Sequence, residues 1–175
     1  MPLHAAKLDA AARAEAVARS RRPAATRLRL LMVDLMTDVE KNYPFLYVHY
    51  DTVVTQLSAS HPAYKRVHEF VELTGRHFAA FRKVVEDGIR SGEFVSTLPP
   101  WIVARAAVGS IADSHRWFDP GTSEVSGAEI GNGFADVLLG GLAPAARRPA
   151  QVRLPATAAT LSPRRPASPP GRRRL

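Results

Sequence analysis

The sequence PAYKRVHEFVELTGRHFAAFRKVVEDGIRSGEF, residues 62–94, decides the fold. Apolar or small residues recur in it in steps of three and four, which is the spacing of one face of an α-helix. Two adjacent faces of this kind predict a helix covered on more than one side, the central helix of a bundle. Ser91-Gly92 supplies its stop, and Arg90 places a cation in its last turn. The first face contains Tyr64, Val67, Val71, Thr74, Phe78, Phe81 and Val85, and the second contains Phe70, Leu73, His77, Ala80 and Val84.

Further helices are predicted on both sides of this one. Leucines and methionines at helical spacing predict a helix from Pro23 or Ala24 to about Lys41, and Pro44 suits the first turn of another, Phe45–Leu57. Pro99-Pro100 opens Trp101–Phe118, and Ser126 caps a last helix that ends near Leu142, with Glu129 as its capping-box partner. No strand pattern occurs, so the fold class is all-α, a bundle of five to six helices.

The segment before residue 23 is predicted to be a weak helix. His4–Arg19 is rich in alanine and arginine, and Leu8 and Val17 are its only large apolar residues. We therefore expect this helix to be poorly anchored. The predicted organisation is a weak helix over 1–22, a folded domain over 23–142 and a tail over 143–175.

Composition excludes several classes of protein. The 175 residues contain no cysteine, so disulfides, thiolate catalysis and cysteine-based zinc sites are excluded. No apolar run reaches the length that spans a bilayer, and the first 22 residues lack the apolar core of a signal peptide. We expect a cytoplasmic protein without a membrane partner.

The net charge of +8 belongs to the tail and not to the folded domain. Residues 143–175 contain no acid, seven prolines and eight arginines: Arg147, Arg148, Arg153, Arg164, Arg165, Arg172, Arg173 and Arg174. Such a composition predicts disorder. The tail could contact phosphates without sequence preference, but a solvated tail is the favoured interpretation.

A catalytic interpretation depends on one short constellation. His68, Glu72 and Arg76 follow each other at one-turn spacing and could face a cavity as part of a small all-α enzyme or a weak metal site. The favoured alternative is a polar edge of the central helix. Asp113, Ser114 and His115 are adjacent on a helix and cannot form a triad among themselves. No metal site and no cofactor are predicted.

Aromatic and methionine side chains on successive helices favour a ligand pocket inside the bundle, where small-molecule sites are common. The alternative is that they fill the core, and a lone histidine on an apolar face is more often a core residue than a ligand. The pocket candidates are Met32, Met36, Tyr50, Phe70, His77, Phe78, Phe81 and Trp117.

Small residues on the last two helices favour a self-association surface, because symmetric dimers are the commonest oligomers. The alternative is packing within one chain. The candidates for the interface are Ala106, Gly109, Ser110, Asp113, Phe134, Val137 and Leu138.

Four motifs in this order resemble the C-terminal ligand-binding and dimerisation domain of TetR-family transcriptional regulators, of the lipid and sterol catabolism type. They are Tyr43-Pro44-Phe45-Leu46, Gly88–Phe94, Arg116–Pro120 and Ala128–Leu142. The resemblance covers about 120 residues and implies an apolar or acyl-CoA-like effector and a dimer made by the last two helices. It also implies that Trp117 lies near the pocket and the dimer seam.

The sequence departs from this family at its start. Family members begin with a three-helix DNA-binding domain that contains a helix-turn-helix. Only about 22 residues precede the second helix here, so we expect no DNA-binding head and no specific DNA binding by this chain. The expected partners are the effector and either a second copy of this chain or a full-length paralogue.

Overall fold

A 28-residue helix, Tyr64–Ser91, contacts three other helices in the computed structural model, which describes residues 2–42 and 64–142. In chain order the helices are α1 (Pro2–Arg19), α2 (Ala24–Asn42), α3 (Tyr64–Ser91), α4 (Pro100–Ala112) and α5 (Gly127–Leu142). No strand occurs in these two ranges, so the all-α prediction is confirmed. The predicted helix Phe45–Leu57 and the tail 143–175 lie outside the described residues.

Helix α3 ends where the sequence predicts. Gly92 adopts a left-handed φ of 79°, and the N–H of Phe94 donates to the carbonyl of Gly88 at 3.0 Å. The Phe94 ring lies so close to Gly88 that an added Cβ would be 2.2 Å from it. The Gly88–Phe94 motif is therefore a helix stop that needs both glycines: Gly88 leaves room for the Phe94 ring, and Gly92 adopts the left-handed conformation. The prediction of two apolar faces was wrong at Val71, which is 47% exposed.

Helix α1 is firmly anchored, which corrects the expectation of a loosely attached helix. It lies chiefly against α3 and buries a row of small side chains, Ala10, Ala11, Ala14 and Ala18. Small side chains let two helices approach closely, so anchoring here does not need large apolar residues.

Ion pairs add to this anchoring of α1. Arg13 donates to Asp34 at 3.0 Å and to Asp38 at 2.8 Å, both on α2, and pairs with Asp9 on its own helix. Arg76 on α3 donates to Glu15 at 2.7 Å. The charged residues of α1 therefore connect it to both neighbouring helices.

Helices α2 and α5 form the most extensive helix pair of the described residues. A Cβ added at Gly131 would lie 2.8 Å from the Cα of Val33 and 3.0 Å from the carbonyl oxygen of Met32. Glu40 accepts a hydrogen bond at 2.9 Å from the N–H of Gly127, the first residue of α5. The glycines of α5 therefore allow the two backbones to touch.

Helix α4 is shorter than predicted. It ends at Ala112 and continues as a 3₁₀ turn, Asp113–Arg116, instead of running to Phe118. The Ser114 hydroxyl donates to the carbonyl of Ile111 at 2.6 Å, and Nδ1 of His115 bonds the carbonyl of Ala112. Side chains that bind nearby carbonyls compete with the helical pattern, which explains the tighter turn.

The predicted start of α5 is confirmed. Ser126 Oγ accepts from the N–H of Glu129 at 3.2 Å, and the Glu129 carboxylate accepts from the N–H of Ser126 at 2.9 Å. This reciprocal pair is a capping box. Among the described residues, no helix is both long and apolar enough to cross a membrane.

Candidate ligand cavity

A small cavity of about 50 Å³ lies among α1, α2, α3, α4 and the 3₁₀ turn. Most of its wall is apolar, and within each of α2, α3 and α4 lining residues recur four positions apart. The apolar residues are Leu35, Val39, Leu73, Phe78, Val108, Ile111 and Ala112, and the polar ones are Lys7, Thr74, His77 and His115. This combination of an apolar wall and a few polar groups is typical of small-molecule sites.

His77 is a cavity-wall residue whose pKa lies far from its ordinary value. Its ring stacks on Phe81 with 5.6 Å between centroids, and its Nε2 is buried with no hydrogen-bond partner among the described residues. Burial, together with the nearby positive charge of Lys7, lowers the pKa of His77 to about 4. The imidazole is therefore neutral at pH 7, and its Nε2 makes no hydrogen bond to the described residues.

Lys7 and His115 bring two more basic side chains to the same cavity. Burial lowers the pKa of the Lys7 ammonium, and the Asp38 carboxylate opposes part of that effect. Nδ1 of His115 bonds the carbonyl of Ala112, which can only accept, so Nδ1 carries the proton in that bond. No acidic side chain is among the described residues that line the cavity.

The structure brings only two of the predicted pocket residues, His77 and Phe78, into the cavity wall. Met32, Met36 and Phe81 are fully buried in the core and do not line the cavity. Tyr50 and the side chain of Phe70 lie outside the described residues. Pocket membership of this set therefore stays a prediction.

Trp117 lies away from the cavity, on the outer surface beside α5. It is 55% exposed and makes an edge contact with Phe134 at 6.2 Å between ring centroids. A shallow groove contains it together with Phe118, Asp119, Thr122, Ser123, Val125 and Ile130. This position is closer to the predicted dimer surface than to the cavity.

Sequence reasoning missed most of the cavity wall. Two spacings of four residues could have indicated Leu35, Val39 and Leu73: Leu35 with Val39, and Leu73 with His77. Residues four apart on a helix lie on the same face and therefore face the same cavity. Lys7 has no such signal, since it precedes the alanine row of α1 and reaches the cavity only through the packing of that helix.

The alternative catalytic constellation is only partly described. Arg76 donates to Glu15 of α1, and the Glu72 side chain is exposed. The side chain of His68 lies outside the described residues. Neither Glu72 nor Arg76 lines the cavity, and the described residues contain no group of three side chains able to hold a metal ion.

The predicted dimer residues lie on α4, α5 and the turn between them. Ala106, Gly109, Ser110 and Asp113 are exposed, Val137 is 79% exposed, and Phe134 and Leu138 are half-buried. Helices α4 and α5 contact each other. Its role in association stays a prediction.

Comparison with known protein families gives a match across four of the five described helices, α2 to α5. A family model described as "Tetracyclin repressor-like, C-terminal domain" matches residues 21–142. The chain belongs to this TetR C-terminal domain family. The match begins just after α1 and ends with α5, so it contains all the helices that line the cavity except α1.

Solved structures of TetR-family regulators share the fold. A TetR/AcrR-family transcriptional regulator from Thermobifida fusca is 21% identical, with a TM-score of 0.64, over 82% of this chain and 70% of that one. The ketosteroid transcriptional regulator KstR2 of Mycobacterium tuberculosis is 22% identical, with a TM-score of 0.62, over 75% of this chain and 64% of that one.

A third regulator, PfmR from Thermus thermophilus, is 23% identical, with a TM-score of 0.62, over 78% of this chain and 70% of that one. A search of curated proteins finds no match. All three structural neighbours are transcriptional regulators.

Proposed function

We propose that this TetR-like domain binds a small apolar effector in the cavity among α1–α4 and forms dimers through α4 and α5. The observation that carries the proposal is a mostly apolar cavity inside a unit that matches the family over residues 21–142. In this proposal the protein regulates transcription in the cytoplasm and catalyses no reaction.

The effector class follows from the cavity wall and its size. The described residues enclose about 50 Å³, which is room for only a few non-hydrogen atoms. An acyl-CoA-like effector would therefore place no more than part of its acyl chain there, and a larger apolar compound requires the walls to move. Steroids belong in the test because one structural neighbour, KstR2, is a ketosteroid transcriptional regulator.

Signalling in this proposal works by a population shift. A ligand that binds one arrangement of α2, α3 and α4 more tightly than another favours that arrangement. We propose that the described residues form the effector unit and do not recognise an operator. The chain would then act as a homodimer, or as a heterodimer with a full-length paralogue that carries a DNA-binding head.

A thermal-shift panel tests the effector proposal. We expect at least one long-chain acyl-CoA, fatty acid or steroid to raise the melting temperature by a few degrees, since a ligand at about 100 times its Kd stabilises by about 2.7 kcal/mol. Ala112→Leu, which fills the cavity, should remove the shift. Ala79→Leu, at an exposed position of α3, should keep it. No shift from any compound would contradict the proposal.

A further inference from the structure

Of the four polar side chains in the described cavity wall, His77 has a buried nitrogen without a hydrogen-bond partner. Lys7, Thr74 and His115 each make an interaction of their own. Nε2 of His77 is buried and makes no hydrogen bond to the described residues. A buried polar atom without a partner costs free energy, which a ligand recovers if it forms that hydrogen bond. His77 is therefore the lining residue that gains most from a polar occupant.

The charged residues beside the cavity compensate one another. Arg13 donates to Asp34 at 3.0 Å and to Asp38 at 2.8 Å, and it also pairs with Asp9. Lys7 lies in the field of the Asp38 carboxylate. Two cations thus face three carboxylates in this cluster, so neither cation is left over for an anionic ligand.

Burial near the cavity also opposes charge of either sign. It lowers the pKa of the Lys7 ammonium and of the His77 imidazole, and it raises the pKa of the Asp38 carboxyl. Each of these shifts favours the uncharged form of the group, because removal from water disfavours the charged form. A charged group of a ligand would meet the same cost. We therefore expect the polar group that reaches His77 to be neutral.

A hydroxyl is a neutral group that suits Nε2 of His77 in either tautomer of the ring. A neutral imidazole carries its proton on one nitrogen, so Nε2 donates in one tautomer and accepts in the other. A hydroxyl both donates and accepts, whereas a carbonyl oxygen only accepts. An alcohol can thus satisfy Nε2 whichever nitrogen holds the proton.

We propose that the part of an effector that occupies this cavity is uncharged and carries a hydroxyl that hydrogen-bonds to Nε2 of His77. Its carbon atoms would contact the apolar wall, which includes Leu35, Val39 and Ile111. The cavity of about 50 Å³ limits this part to a few non-hydrogen atoms. The inference rests on the proposed effector-binding function and names the chemical group that the cavity selects.

NMR titration of the full chain at pH 7 with 1-butanol and 1-chlorobutane tests the inference, because these probes differ only in the hydroxyl and the chlorine. The measured quantity is the ratio of their two dissociation constants, in the wild type and in His77→Phe. The variant removes the hydrogen bond and keeps a ring at this position. We expect the preference for 1-butanol over 1-chlorobutane to fall by about fivefold or more in His77→Phe.

The wild type supplies a second measurement that needs no substitution. The ¹⁵N resonance of His77 Nε2 should move when 1-butanol is added, because a hydrogen bond changes the shielding of that nitrogen. It should move less with 1-chlorobutane. Butyrate and butylammonium, the charged four-carbon probes, should bind more weakly than 1-butanol by about tenfold or more.

Phe78→Leu is the matched control variant, since Phe78 lines the same cavity and has no polar side-chain atom. It changes the shape of the apolar wall, which both probes contact. The affinities for 1-butanol and 1-chlorobutane should therefore change alike, and their ratio should stay at the wild-type value.

Several outcomes would overturn the inference. An unchanged ratio in His77→Phe, a His77 resonance that stays in place at saturating 1-butanol, or a charged probe that binds as tightly as 1-butanol each contradict the hydroxyl assignment. The proposed function stands in each case if a compound of the thermal-shift panel stabilises the protein and Ala112→Leu removes that shift. If no four-carbon probe binds but a panel compound stabilises the protein, the hydroxyl inference fails and the proposed function does not.

Discussion

At the scale of single residues, His77 both packs against the core and forms part of the cavity wall. Its ring packs on Phe81, the residue is part of the cavity wall, and its Nε2 is buried without a hydrogen-bond partner among the described residues. The helical spacing of α3 was sufficient to place His77 on an apolar face. It could not show the neutral state of the ring, because that depends on burial by α1 and on the charge of Lys7.

The depressed pKa of His77 makes stability depend on pH. The folded state holds the imidazole neutral down to about pH 4, whereas the unfolded chain protonates it near its ordinary value of 6.5. The unfolded state therefore gains protons first as the pH falls through this window, and stability is lost. Between pH 7 and pH 5 the loss from this residue alone is about 2 kcal/mol.

We predict that His77→Phe removes most of this loss. Urea unfolding of the wild type and the variant at pH 7, 6 and 5 measures it. Comparison of the two proteins cancels the groups that they share, among them Asp38, whose pKa is raised by burial. The free energy of unfolding of the variant should change little over these values. A variant that loses as much stability as the wild type would show that His77 is not the group responsible.

At the scale of helices, the largest difference between prediction and structure is α1. The search for large apolar residues at helical spacing detects helices that bury leucine or phenylalanine, and α1 buries alanine instead. Its ion pairs with α2 and α3 join residues far apart in sequence, so no local pattern could indicate them. The capping box, the glycine stop of α3 and the proline start of α4 were predictable because each is a local signal.

We predict that Arg13→Met destabilises the protein by about 1–2 kcal/mol, with a discount for its partly exposed position. Loss of the guanidinium leaves Asp34 and Asp38 next to each other on α2 without their shared cation. Burial raises the pKa of Asp38, so the effect should be smaller in acid, where Asp38 takes up a proton and no longer needs the cation. Chemical unfolding at pH 7 and pH 3.5 measures both values.

Arg19→Met is the matched control on the same helix. Arg19 is exposed and pairs only loosely with Glu15, at 3.7 Å. Surface pairs of this kind contribute about 0–1 kcal/mol. If the two variants are equally stable, the Arg13 bridges do not anchor α1.

At the scale of the whole molecule, self-association depends on the exposed side chains of α4 and α5. Val137 is 79% exposed, and both helices have exposed small residues, among them Gly109 and Gly133. The sequence could indicate this face from its small residues, but a single chain does not contain the partner that would cover it. The cavity was harder to foresee, because its wall is assembled from four helices and the 3₁₀ turn.

We predict that Val137→Glu converts a dimer into a monomer at micromolar concentration. A carboxylate buried in an apolar interface costs several kcal/mol, which raises the dissociation constant by about 100-fold or more. Light scattering coupled to size exclusion measures the mass. Val71→Glu places the same change at a 47% exposed valine of α3 and should leave the dimer intact. A wild type that is monomeric under these conditions would contradict the dimer proposal directly.

The crossing of α2 and α5 at Gly131 has a mechanical consequence. Leu35 and Val39 of α2 line the cavity, while the Val33 backbone of the same helix lies against Gly131. No side chain stands between the two backbones there, so no rotamer change can absorb a displacement of α2. Any shift that a ligand forces on α2 therefore has to appear in α5, and in a two-fold dimer built on α5 it would appear twice, with opposite sense across the axis.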